Sequence, residues 1–421
     1  MTRQIMCSVL RTKTVLLVFS IFIMNVTGRA TTRSALRIQE KFLKPSKAQV
    51  QCDSNEPLGC ADAVTPCFSP NGDLFLTWTQ DHKVWFALSK DFGKTWTLPL
   101  RIGDIDSCCV AWRPQVIADA AGNVLVAYDT FTNREKHENR EIRIAFSSDG
   151  GHHFSPTRPF ETGSINQRLP VLDLTPDGRF LILWQEDKPQ SGMQHAASVY
   201  YAWSKDGGRS FGPKAMAYPL SCPCCRIAVA NSPGGLPVVV FRTIFSRGVR
   251  DHVVMSFDVS GFPGSIHRVA VDDWVVLCPH QSASIAVSSR GTIHVAWYTQ
   301  GKVRQGLFYA RSTDGGQHFG EPKKFGEVDG MASRPYIYAQ GEVIWRVWKS
   351  TDDHATHVWK QVSHDDGLNW NTPELVANCT GYSDDPLVIG YGKHIFLSWL
   401  NREHGYQLIS LEEPLIGLNQ R

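Results

Sequence analysis

Beyond its first thirty residues the chain lacks any apolar run approaching the roughly 20 residues that a membrane span needs. That absence excludes a helical span in the rest of the protein. An excess of charge of one sign is also missing. The chain has 43 Lys+Arg against 40 Asp+Glu. Four of the basic residues (Arg3, Arg11, Lys13 and Arg29) fall in residues 1–30 with no acid among them, which leaves 39 against 40 in the remainder. A near-neutral chain gives no electrostatic reason to expect nucleic acid or an anionic membrane as partner. Nor is there a long amphipathic helical pattern, so the secondary structure has to come from short strands and turns.

The N-terminus has what the rest lacks. Three basic residues precede an apolar run from Thr14 to about Val26, followed by small residues with Gly28 and Ala30 at a signal-peptidase spacing. About 13 residues is short for a span and typical of a cleaved secretory signal. The expected organisation is a signal peptide over 1–30, an N-terminal segment over 31–58, and a single folded domain over 59–421. The mature protein is expected to be secreted or periplasmic.

A repeat runs through that domain. The octets SKDFGKTW (89–96), SSDGGHHF (147–154), SKDGGRSF (204–211), STDGGQHF (312–319) and SHDDGLNW (363–370) share the pattern Ser-x-Asp-x-Gly-x-x-Trp/Phe. Adjacent copies are about 50–60 residues apart, and a decayed copy, SFDVSGF (256–262), occupies the one double-length gap. Before each octet stands an alternating apolar strand, such as KVWFALS or VYYAWS. Before that comes a tight turn and a second strand, as in NGDLFLTW and DGRFLILW. This period suits a four-stranded propeller blade. The turn-plus-second-strand unit occurs near residues 72, 122, 178, 235, 291, 341 and 392, so seven blades are expected, with six as the alternative if the end units are fused. The last unit holds three strands, and SALRIQEKFL near the mature N-terminus could supply the fourth, closing the ring and removing exposed edges.

In each octet the Asp and Ser side chains can bond backbone N–H groups across a tight turn, while the Gly takes a left-handed conformation. An active site is needed once and the octet is repeated, so Asp91, Asp149, Asp206, Asp314 and Asp365 are read as structural.

The octets resemble the Asp-box, or BNR, repeats of the sialidase superfamily, and the resemblance covers most of residues 60–400. It implies a β-propeller that grips a substrate carboxylate with three arginines, whose planar forks suit bidentate pairing. It also implies an acid for proton transfer and a tyrosine nucleophile activated by a glutamate. By order along the chain and blade phase, Arg113, Arg226 and Arg334 resemble the arginine triad, with Arg168 at a similar position. Glu186 resembles the activating glutamate, Tyr382 the nucleophile, and Asp62 or Asp129 the acid. The family's Arg-Ile-Pro signature is missing from the first blade. Its nearest analogue, Trp-Arg-Pro at 112–114, comes one blade late.

Cysteine is abundant: 11 residues, ten of them beyond the signal. Cys60, Cys108, Cys109, Cys222, Cys224, Cys225 and Cys278 all stand just before an innermost strand. Three readings stand open. Export and an even count suit disulfides, for instance Cys222 with Cys278 and Cys60 with Cys108 or Cys109. A cluster of Cys109, Cys222, Cys224, Cys225, Cys278 and His280 would suit Cu or Zn. A reactive thiol next to Arg226 is the third. No cofactor is otherwise required.

These readings give an all-β propeller of four-stranded antiparallel blades. It is expected to bind, or bind and hydrolyse, an anionic glycan or similar ligand at the funnel mouth. The alternatives are an exported metal-binding protein using the cysteines, and a non-enzymatic scaffold with disulfide-tied loops and a protein partner.

Overall fold

The computed structural model describes residues 58, 60–103, 113–133, 138–161, 166–187, 196–276 and 279–412, all within one compact unit, Cys52–Arg421. The signal segment and SALRIQEKFL lie outside the described residues. The chain forms a seven-bladed β-propeller. Six antiparallel sheets have four strands in sequence order, and the last has three described strands. The first strands of the blades are Ala63–Phe68, Gln115–Ala118, Gln167–Leu174, Ala228–Asn231, Ser284–Val287, Met331–Gln340 and Leu387–Tyr391. Each touches the first strands of its neighbours, and the first and seventh touch one another, so these strands line the axis and the ring is closed. Among the described residues no helix is long and apolar enough to cross a membrane.

All seven hairpins between first and second strands turn on a glycine with positive φ: Gly72, Gly122, Gly178, Gly235, Gly291, Gly341 and Gly392. That conformation costs a residue with a Cβ energy and costs glycine almost none, which is why this turn marks the blades so clearly in the sequence.

The core lies in the seams between blades. Phe75, Phe86, Val116 and Val126 pack blade 1 on blade 2, and comparable buried clusters join each following pair. A seventh cluster sets Leu400 of the last blade against Leu76 and Trp78 of the first. Apolar contact therefore closes the ring. Trp78, Trp184, Trp297, Trp348 and Trp399, all near the ends of second strands, are fully buried. Truncating one to Ala would cost about 3–5 kcal/mol.

Each octet binds one seam from outside. In all five, the Ser Oγ donates to the Asp at 2.7–2.8 Å and accepts from the Gly N–H at 2.8–3.0 Å. The Asp accepts the N–H four residues on, at 2.8–3.0 Å. Hydrogen bonds from that same residue hold Asp91, Asp149, Asp314 and Asp365 below the usual carboxylate range. In the decayed copy, Asp258 still accepts two N–H groups at 2.9 Å. The closing aromatic packs on the preceding blade: Trp96 on Tyr406, Phe154 on Phe86, Phe211 on Phe160 and Trp370 on Tyr309.

The seam between blades 5 and 6 also encloses titratable groups. His294 is fully buried and bonds Tyr309 Oη at 2.8 Å and Asp366 Oδ1 at 3.2 Å. Burial pushes its imidazole down to about 4. His252, buried in blade 4, is pushed down by burial and by Arg242. The unfolded chain takes up a proton near pH 6.5 that the folded His294 refuses, so stability is complete above pH 6.5 and falls as the pH drops toward 4. Between pH 6.5 and 5 the loss from His294 alone is about 1.5 kcal/mol, and His252 adds in the same direction. Urea unfolding at the two pH values measures it. His294→Gln should remove its share of the slope and leave that of His252, and an unchanged profile would remove the assignment.

Candidate functional site

Strand direction decides which face carries chemistry. In an antiparallel blade the third strand runs parallel to the first, so the octets that follow third strands lie at the face opposite the starts of the innermost strands. Arg113, Arg226, Tyr382, Asp62 and the cysteines at 60 and 222–225 all stand just before innermost strands. They share the other face, the funnel mouth.

Two aspartates that the sequence reading missed gather that mouth. Asp384 and Asp385 precede the innermost strand of blade 7. Asp384 is buried, pairs with Arg113, and accepts the Val64 N–H at 3.1 Å. Arg113 in turn donates to Val64 O at 2.9 Å, so one ion pair ties blades 2, 7 and 1 together. Arg334 Nε lies 3.3 Å from Asp385, and Lys349 Nζ donates to the Ser383 and Asp384 carbonyls at 3.1 and 3.2 Å. Burial opposes charge on Asp385, but Arg334, Lys349, Arg113 and Arg226, in that order, hold its carboxylate down at about 2. The three arginines read as a triad therefore converge on one carboxylate pair. The signal was present in SDDP, an acidic doublet at the same blade phase as the arginines.

Arg334 is aimed by backbone strain. Its φ is +53° although Pro335 follows, a placement that a preceding residue avoids, and the strand register shifts between Ser333 and Tyr336. Such a bulge costs about 1–3 kcal/mol and re-aims a side chain. Leu169, before Pro170, repeats it at +53°, beside a shift in the blade 3 ladder.

Asp129 is buried within the second strand of blade 2, Val124–Asn133. Burial pushes its carboxyl up, against Arg140 at 3.4 Å, the Leu169 N–H and Arg226. Arg226 is itself pushed down to about 10, by burial first and then by repulsion from Arg113. Arg113, Arg226, Arg334 and Lys349 face Asp384, Asp385 and the upshifted Asp129, so the mouth has a cationic surplus.

The remaining assignments fare differently. Arg168 is paired with Asp187 at the edge of this group. Tyr382 is half exposed, donates its hydroxyl to Asp62 O at 2.9 Å, and is pushed up by its packed surroundings and by Asp384 and Asp385. That is the opposite of an activated phenol. Asp62 is exposed and pairs with Arg402 at 2.6 Å. Glu186 does not meet Tyr382. It is buried against Trp184 Nε1 at 2.8 Å and Lys214 Nζ at 3.2 Å, within blade 3, so its expected role as activating glutamate is corrected: order along the chain places the residue near the end of a second strand but does not fix where its carboxylate turns.

Among the cysteines, Cys60 and Cys224 are disulfide-bonded, whereas Cys67, Cys222, Cys225 and Cys379 are free thiols. The free thiol of Cys222 corrects the expected Cys222–Cys278 bridge, because the CPCC turn directs Cys222 inward beside Cys225. Cys108, Cys109 and Cys278 lie outside the described residues. Cys222, Cys224 and Cys225 hold their sulfurs within 4.8 Å of one another. A disulfide sulfur is a poor ligand, so among the described cysteines of the expected Cu or Zn set two, Cys222 and Cys225, keep a free thiol. His280 sits beside Arg334, which donates to its carbonyl at 2.6 Å. Cys222 is lowered to about 6 by the hydrogen bond from Cys225, against burial, with Arg250 assisting.

No protein-family model matches the chain, and no curated protein matches it by sequence. Solved structures share the fold. A PL25 ulvan lyase, solved bound to -[GlcA(1-4)Rha3S]-, aligns over 84% of this chain and 96% of its own at 12% identity and a TM-score of 0.59. The polysaccharide lyase Uly1 aligns over 84% and 90% at 12% identity and a TM-score of 0.53. An α-L-arabinanase from Penicillium chrysogenum aligns over 85% and 95% at 13% identity and a TM-score of 0.46.

Proposed function

We propose that this is an exported propeller that binds a carboxylate-bearing glycan at its funnel mouth. The observation that carries the reading is the convergence of Arg113, Arg226, Arg334 and Lys349 around Asp385. A cradle that already stabilises one carboxylate, with cationic charge to spare, suits a second one brought by a ligand. Arg226, Arg334 and Asp385 are partly exposed at the mouth, whereas Arg113 is buried. The accessible guanidinium groups would grip the ligand, with Arg113 and Asp384 fixing the frame behind them. The GlcA unit in the ulvan lyase ligand carries a carboxylate of this kind, which supports the class of ligand. The upshifted Asp129 next to Arg226 is suited to donating a proton.

Calorimetric titration with oligosaccharides containing glucuronate or sialic acid, each beside its uncharged counterpart, tests the proposal. Binding is expected for the carboxylated member alone. Arg226→Ala and Arg334→Ala should each weaken it about tenfold to a hundredfold, the worth of a charged hydrogen bond. Equal affinity for charged and uncharged members would sink the reading.

A further inference from the structure

The loop Ser221–Arg226 holds three sulfurs in two oxidation states, and this arrangement does not depend on the glycan reading. Cys222 Sγ lies 3.5 Å from Cys224 Sγ, which belongs to a disulfide, and 3.4 Å from the thiol of Cys225. Cys222 and Cys225 are both fully buried, and Cys224 is partly exposed. The loop is pinned: Gln185 Nε2 donates to the Cys222 and Cys225 carbonyls at 3.0 and 3.2 Å, and Cys222 N–H donates to Arg242 O at 2.9 Å. A disulfide sulfur is thus held beside a thiol that bulky external reagents cannot reach, with a second thiol behind it at CxxC spacing.

We propose that Cys222 and Cys225 form an internal thiol–disulfide exchange centre that opens and re-forms the disulfide of Cys224. The Cys222 thiolate attacks Cys224 Sγ. A Cys222–Cys224 bond forms, and the former partner of Cys224 leaves as thiolate. Cys225 then attacks Cys222 Sγ, forming the Cys222–Cys225 disulfide and expelling Cys224. The proton of Cys225 passes to a departing thiolate. Two thiols and one disulfide become one disulfide and two thiols, so no outside oxidant or reductant is consumed. The exchange rearranges sulfurs directly before Arg226, which places it next to the mouth.

Native full-length protein is incubated at pH 8 with iodoacetamide, then acid-quenched, digested with trypsin and sequenced by mass spectrometry. Residues 215–226 form one tryptic peptide containing all three cysteines. The expected result is time-dependent alkylation of Cys224 on a linear peptide with an internal Cys222–Cys225 disulfide. Cys222→Ser should reduce Cys224 alkylation at least tenfold and leave the cross-linked peptide. Cys225→Ser should stop at the Cys222–Cys224 disulfide, with Cys224 unlabelled and its former partner alkylated. A wild-type Cys224 that stays cross-linked throughout overturns the proposal. So does labelling of Cys224 that proceeds equally in Cys222→Ser, because the exchange would then not pass through Cys222.

Discussion

Arg113→Ala is expected to lower unfolding stability by about 3–5 kcal/mol, the cost of leaving a buried charge without its partner. Arg113 and Asp384 have side chains 6% and 5% exposed, too little for water to replace the lost guanidinium. Asp384 would face this deficit at the point where the ring closes, because it also accepts the Val64 N–H, and Arg113 donates to the Val64 carbonyl. Burial already pushes Asp384 up despite Arg113, and removing the arginine would push it up further. Asp384→Asn keeps an acceptor for Val64 and removes the charge, so Asp384→Asn combined with Arg113→Ala should lose less than the two single changes added together. Urea unfolding of the four proteins provides the double-mutant cycle. A loss below about 1 kcal/mol for Arg113→Ala would show that the pair is solvated and not a clasp.

That arginine shows how far the sequence could be read. Its blade phase, and that of Arg226 and Arg334, followed from counting back from the second strands, because a repeat that recurs every blade fixes position about the axis. The same count would have reached Asp384 and Asp385. The resemblance asks for one acid and one activating glutamate, matched by Asp62 or Asp129 and by Glu186, and has no place for a carboxylate pair that neutralises the arginines themselves. Glu186 failed for a different reason. Its place at the end of a second strand was legible, but whether that side chain faces the axis or Lys214 depends on the pleat and on the ladder shift between Leu183 and Gln185, which no repeat unit encodes. The cysteines were legible as a cluster on one face, but not in pairing. Spacing puts Cys222 near several partners, and only the conformation of Cys-Pro-Cys-Cys turns it toward Cys225.

The octets support a second large prediction. Gly367→Ala should cost about 3–6 kcal/mol, whereas Gly315→Ala, in the preceding octet, should cost about 1 kcal/mol. Both glycines have positive φ, +79° and +73°, so both substitutions carry the left-handed penalty. Space separates them. A Cβ on Gly315 meets nothing within 4 Å, but one on Gly367 would lie 1.9 Å from Tyr309 Oη and 3.1 Å from His294 Nδ1. Tyr309 cannot retreat, since Trp370 packs edge-on against its ring at 5.2 Å and its hydroxyl is bonded to His294. The methyl group must break that bond, and the loss spreads: His294 reaches Asp366, which also accepts from Thr292 Oγ1 at 2.6 Å and Arg311 at 3.3 Å. Buried polar groups stripped of partners each cost about 1–3 kcal/mol. This octet alone replaces the first glycine of the Gly-Gly pair with an aspartate that enters the seam, so its damage should exceed that of Gly316→Ala, whose Cβ would meet only Ile293 and Val254 at 3.2–3.3 Å. Thermal unfolding of the three variants ranks them. Equal losses would mean that the octet glycines act through backbone conformation alone and that the seam yields to a methyl group.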